Sequence, residues 1–314
     1  MGEGWLPSHA DVFADSPETR ALVTGPHTAL RACPLVPELP MWLVRGEDIL
    51  ELWQETEAFA EEMTTGDGPA SAGSNPDDSV NGLHPPYWAV PWVGGQGVAR
   101  YILDNPEVVR GKTVLDVGSG CGIAALAAAR AGASLVCAND IDPLAAVAFL
   151  ANADACGLSS ARECGEGAAS SAVGRQGDCD GALSAGAEGD EWDVQGEVTG
   201  GVRSACTLTT SFEDMLGSSA VDVAHFDVIM AGDVCFMKGL SDAFQAWLSS
   251  VSGRSEGCVT LLGDPSRQEG WAPGPGWAAG MERVAVYDVP TDADDVNPLT
   301  EGLTTRRTVV WRSG

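Results

Sequence analysis

The chain has 314 residues, 44% of them hydrophobic, and sets 45 Asp and Glu against 17 Lys and Arg, a formal net charge of −28. That is apolar content for one large domain or two modest ones, and negative charge that disfavours nucleic-acid phosphates and anionic membranes while attracting a lysine-rich protein. The nine cysteines form no C-x-x-C pair and no apolar run reaches the ~18 residues of a membrane span, which argues against a disulfide framework, a zinc or other metal site and a helical anchor.

Residues 1–33 carry little periodicity, so a loose N-terminal arm is expected, and the first 20 residues are too acidic for an Arg-rich targeting segment. Residues 34–82 form a second unit. Pro34, Pro37 and Pro40 hold 34–43 extended. Ile49, Leu52, Trp53, Thr56, Phe59 and Ala60 recur at helical spacing over 46–62. The Gly-, Ser-, Asp- and Pro-rich stretch 63–82 reads as a linker, and 83–314 as the main domain.

That domain opens on an aromatic, proline-rich block from His84 to Gln96, followed by a helix over 97–105 that stops at Asn105-Pro106. A tryptophan beside glycines makes a wall for an adenine ring or a methionine chain, which singles out Trp92, and Trp88 less so; either can equally be core.

The stretch Val114-Leu115-Asp116-Val117-Gly118-Ser119-Gly120-Cys121-Gly122 is a buried strand breaking into a glycine turn before a helix over 123–131. Glycine has no Cβ to hold a ligand off the backbone, and the N–H groups at a helix start favour an electronegative group. A second apolar run, 134–138, ends in Asp140, placed where such β-α-β units present a carboxylate to ribose hydroxyls. Together they predict an adenosine-containing cofactor. The dinucleotide fingerprint wants G-x-G-x-x-G, whereas this turn reads G-x-G-x-G and has Ile123 at the last glycine's place. Asp116 would repel a pyrophosphate but accept from an ammonium or an ordered water. Both features favour S-adenosylmethionine over a nicotinamide dinucleotide.

A helix over 144–155 follows, and then 157–201, nearly devoid of large apolar residues, reads as a disordered insertion. Strands are expected at 205–210, with Phe212 just beyond, and at 226–233, where the apolar run ends in Gly232 and Asp233. Ligands of open α/β sheets bind outside the carboxyl ends of the strands, so Asp233 shares a rim with Gly118 and Asp140. There it can hold or deprotonate an amine, or cap the helix expected over 240–251. Further strands at 257–263, 281–289 and 303–312 complete a sheet of about seven, the last two pairing antiparallel.

These elements resemble the seven-stranded S-adenosylmethionine-dependent methyltransferase fold: α/β, Rossmann-like, mostly parallel with an antiparallel last strand, plus an N-terminal helical and extended segment. More narrowly, V-P-E-L-P-M-W-L at 36–43, P-P-Y-W-A-V-P-W-V-G-G-Q at 85–96, A-N-D-I-D-P at 138–143, A-G-D-V-C-F at 231–236 and L-L-G-D-P-S-R at 261–267 resemble the electron transfer flavoprotein β-subunit lysine methyltransferases. The resemblance implies that Trp92 lies against S-adenosylmethionine, that Gly118, Ser119 and Gly120 line its methionine and sugar, that Asp140 holds the ribose, that Phe212 sits by the adenine and Gly232 touches the cofactor, and that Asp233 faces the target lysine. It implies a protein-lysine N-methyltransferase whose acceptor is that flavoprotein subunit; the cysteine usage points to a reducing compartment, cytoplasm or mitochondrial matrix, and a monomer is expected. The chain departs from the family at Phe236 and Met237, where a tyrosine and an acid are usual. That keeps open a different protein or small-molecule acceptor, or a cofactor-binding scaffold without turnover.

Overall fold

Apolar runs of five or six residues, too short for stable helices and rich in β-branched side chains, build the centre of the molecule. The computed structural model describes residues 14–46, 48–64, 85–158, 206–217, 223–252, 257–265, 280–290 and 305–314. In chain order these form α1 (Pro17–Val23), β1 (Thr28–Cys33), β2 (Val36–Val44), α2 (Ile49–Thr64), α3 (Val93–Asp104), β3 (Thr113–Val117), α4 (Ile123–Arg130), β4 (Leu135–Asn139), α5 (Pro143–Ala155), β5 (Thr207–Ser211), β6 (Val228–Gly232), α6 (Lys238–Ser252), β7 (Val259–Asp264), β8 (Glu282–Pro290) and β9 (Thr305–Ser313). Short 3-10 turns stand at Tyr87–Ala89 and Pro106–Val108.

Seven strands make one sheet in the order β5-β4-β3-β6-β7-β9-β8. The pairs from β5 to β7 are parallel, and β9 runs antiparallel between β7 and β8. This is the strand order of the seven-stranded methyltransferase fold, as expected from the sequence, with a single reversed strand. The two-residue period of a strand splits its side chains between two cores. Val114, Val136, Val228 and Leu261 face α3 and α4, while Leu115, Ile229 and Leu262 face Phe244, Trp247 and Leu248 of α6. Both faces are thus covered, as a parallel sheet requires.

A third core joins the N-terminal elements to α5 through Leu22, Val23, Leu52, Trp88, Leu144 and Val147. Here the expectation of a loose arm over 1–33 is corrected for its described part. Ser16 caps α1 with a reciprocal bond to Thr19, and β1 pairs antiparallel with β2 in a separate two-stranded sheet. The prolines of β2 are tolerated because that small sheet has no further strand for them to fail to bond. The helix expected over 97–105 begins earlier, at Val93. The 157–201 insertion lies, from residue 159, outside the described residues, as does the linker from residue 65. Among the described residues no helix is long and apolar enough to cross a membrane.

Candidate active site at the carboxyl edge of the sheet

The turn after β3 is built from backbone that only glycine adopts readily. Gly118, Gly120 and Gly122 have φ of 68°, 52° and 79°, all in the left-handed region. Gly118 is exposed, so bare main chain faces outward. The turn is fixed by Ser119 N donating to Asn139 O at 2.9 Å and Gly122 N to Ser119 O at 2.8 Å. At Gly122 a second constraint applies, since a Cβ there would stand 2.5 Å from Cδ2 of the fully buried Phe149.

Asp140, just past β4, clasps this turn. Its Oδ2 accepts from Gly120 N at 2.9 Å and its Oδ1 from Asp142 N at 3.0 Å, while Asp142 caps α5 by accepting from Leu144 N at 2.9 Å. Asp140 is half-buried, so its carboxylate reaches the rim. Asp116, in contrast, points under α4. Its Oδ2 accepts from Ala125 N at 3.1 Å, and burial, only partly offset by that bond and reinforced by the nearby Asp140, pushes it up to about 7. Burial, with Asp140 again adding, raises Asp142 to about 7.

Asp233 follows β6 with φ of 57°, the one described non-glycine residue at positive φ. Its amide donates to Gly263 O at 2.9 Å, and its Oδ2 accepts from Gly94 N at the start of α3. It therefore caps α3, whose N-terminus favours negative charge there. This approach depends on Gly94, Gly232 and Gly263. A Cβ on Gly94 would lie 2.3 Å from Gly263 O, and one on Gly232 2.5 Å from Gly95 N. The start of α3 thus crosses the ends of β6 and β7 backbone to backbone.

The same crossing brings Trp92, which precedes α3, to the rim. Its Nε1 donates to Tyr87 O at 3.0 Å, and its ring meets Tyr87 edge-on at 5.8 Å between centroids. Tyr87 O and Trp88 Cα lie 3.9 Å from where a Gly120 Cβ would be, and Val234 Cγ1 lies 3.4 Å from that of Gly118. Residues far apart in sequence, 87–94, 118–120, 140 and 232–236, are thereby gathered about one turn. Phe212 stands at the end of β5, 42% exposed, and Trp88 is core.

Sequence reasoning missed several residues. Ile141, 56% exposed between two acids, offers an apolar surface beside Asp140 on the same rim as Phe212; an apolar side chain past a strand end was the available signal. Asn152, fully buried in α5, accepts from Trp42 N at 2.6 Å and donates to Cys121 O at 2.9 Å, tying β2 to the glycine turn. Nothing local in the sequence marks it. Cys235, near Asp264 and Asp233, is pushed up to about 12 chiefly by burial and is thus an inert thiol. Among the described residues no group of three or more His, Cys, Asp or Glu could hold a metal ion.

The family described as Ribosomal protein L11 methyltransferase (PrmA) matches residues 101–168. The Electron transfer flavoprotein beta subunit lysine methyltransferase of Danio rerio is 32% identical over 227 residues, covering 72% of this chain and 66% of that protein. The Homo sapiens protein of the same name is 61% identical over 69 residues, 22% of this chain and 26% of that one. Magnesium protoporphyrin IX methyltransferase from Synechocystis aligns in structure with a TM-score of 0.37 and 14% identity, over 70% of this chain and 81% of the other. The chain spans just under two thirds of the length of the curated relatives it matches most broadly. Over that aligned stretch it belongs to the electron transfer flavoprotein beta subunit lysine methyltransferase family.

Proposed function

We propose that the chain is an S-adenosylmethionine-dependent protein-lysine N-methyltransferase and that its acceptor is the electron transfer flavoprotein β-subunit. The observation that carries this reading is the placement of Asp233, anchored to Gly94 and joined through Val234 to the exposed glycine turn, in a chain whose relatives bear that name. The site's donor set fits the cofactor. Gly118 and Gly120 would admit the methionine and sugar, Asp140 would accept from the ribose hydroxyls, and Ile141 and Phe212 would flank the adenine. Trp92 and Gly232 would close the side next to α3. Asp116 serves by bracing α4, whose first turn it holds at Ala125 N.

When bound, S-adenosylmethionine supplies a methyl group already activated on a sulfonium. The protein's task is then alignment and proton handling. A free lysine has a pKa near ~10.4 and is mostly protonated at neutral pH. Asp233 would accept a hydrogen bond from the ammonium, orient it along the rim and take up its proton directly or through water. The Gly94 amide fixes the carboxylate so that little reorientation is needed at reaction.

Incubation with radiolabelled methyl donor and purified electron transfer flavoprotein β-subunit tests the reading. Label on lysines of the subunit is the expected result. Cofactor binding with no label on that subunit or on any protein of a mitochondrial lysate would mark a scaffold instead, and label confined to another protein would refute the assigned acceptor.

A further inference from the structure

Asn139 ends β4, between the glycine turn and β5, and holds each with a different part of itself. Its main-chain oxygen accepts from Ser119 N at 2.9 Å. Its side chain, only 2% exposed, serves β5 instead: Nδ2 donates to Ser211 O at 3.2 Å, to Ser211 Oγ at 3.3 Å and to Glu213 O at 2.9 Å. Two of these acceptors are carbonyl oxygens and require a donor, so an amide nitrogen fits where a carboxylate oxygen would not. Ser211 Oγ also accepts from Glu213 N at 3.3 Å, and Ser211 O from Asp140 N at 3.1 Å. Just beyond, Asp214 closes the next turn by accepting from Leu216 N at 3.1 Å and Gly217 N at 2.8 Å, and Met215 is buried. Phe212 is thus 42% exposed on a main chain pinned at both of its neighbours.

We propose that Asn139 is a positioning residue for the cofactor's adenine: its amide presets the 211–213 loop, so that Phe212 stands as a fixed platform for that ring. The inference rests on the reading of this rim as an S-adenosylmethionine site. A loop ordered before its ligand arrives spares binding the entropy of ordering it. The division of labour within Asn139 makes the effect selective. Its main chain alone serves the glycine turn, so replacing the side chain disturbs the adenine side of the rim and leaves the methionine and sugar side to Gly118 and Gly120.

S-adenosylhomocysteine and S-ribosylhomocysteine provide the test, since the second keeps the sugar and the amino acid and lacks the adenine. Binding of each to the full chain is followed by ligand-observed NMR, at a temperature where circular dichroism shows every variant folded. N139A and N139D should each weaken S-adenosylhomocysteine by about tenfold and shift S-ribosylhomocysteine by less than about twofold, a split that general loosening of the fold does not produce. The double variant N139A/F212A should bind S-adenosylhomocysteine no more weakly than F212A alone, because the amide acts through that loop. S211A removes one of the three acceptors and should cost about two- to threefold, again for the adenine-bearing ligand only. Should the Asn139 variants not fold, S211A and its combination with F212A decide by the same criteria. Unchanged S-adenosylhomocysteine binding, equal losses for the two ligands, or additive losses in the double variants would overturn the proposal. A protein that labels no acceptor yet shows the split refutes the proposed function and leaves the role of Asn139 standing, whereas one that methylates its acceptor and shows no split refutes that role alone.

Discussion

Substituting Gly122 by Ala separates two costs that the glycine turn imposes. The residue sits at φ of 79°, where an L side chain costs about 1–2 kcal/mol. The added Cβ would also stand 2.5 Å from Cδ2 of Phe149 and 3.3 Å from its Cβ and Cγ. Phe149 is fully buried among Cys121, Ile123 and Leu126 and has nowhere to retreat, so overpacking adds about 1–3 kcal/mol. Gly111, at φ of 70° with nothing within 4 Å of its would-be Cβ, carries the first cost without the second. Thermal unfolding of G122A and G111A therefore isolates the contact. At about 2–4 °C per kcal/mol, G122A should lose roughly 4–20 °C and G111A only about 2–8 °C, with G122A the larger by about 2–12 °C. G122A should also weaken S-adenosylhomocysteine binding, which G111A leaves alone. Equal shifts in the two variants would refute the claim that Phe149 presses on the turn.

Two further outcomes follow from buried polar groups. Asp116 has its folded pKa raised to about 7 against an ordinary value of 3.8, so the folded state holds the proton more tightly. Its burden is absent below about pH 4, grows as pH rises through the interval, and is complete above about pH 7, with an upper limit on the order of 4 kcal/mol. D116N keeps an oxygen for Ala125 N, so urea denaturation should show it more stable than the parent at pH 8 and closer to it at pH 4.5; a parallel pH dependence in both contradicts this. N152L strips partners from Trp42 N and Cys121 O and should cost about 2–5 kcal/mol in the same assay, whereas a loss under about 0.5 kcal/mol would mean that water replaces the amide.

Much of the sheet was legible because its central strands are continuous apolar runs. The acids Asp140 and Asp233 were legible as rim residues because each terminates one. The beginning of α3 was not, since Gly94 and Gly95 read locally as the end of the aromatic, proline-rich block. Gly94 meets Gly263 and the Gly95 backbone meets Gly232, both far along the chain. α1 and β1 were missed although Ser16-Pro17 is a helix start signal, because β1 alternates weakly and gains its partner only from β2. Asp233's hold on α3, Val234's contact with Gly118 and Asn152's bridge are tertiary facts with no local signature. The sequence points to the rim, and packing alone decides what meets there.

The central claim is that Asp233 acts on the acceptor amine while Asp140 grips the cofactor. Mass spectrometry of electron transfer flavoprotein β-subunit after reaction, paired with calorimetry of S-adenosylhomocysteine, tests it most directly in D233A and D140A. D233A should bind within about twofold of the parent and transfer methyl groups at least about 100-fold more slowly, while D140A should lose about two orders of magnitude in affinity. Methylation by D233A at the parental rate, with cofactor affinity intact, would contradict the account.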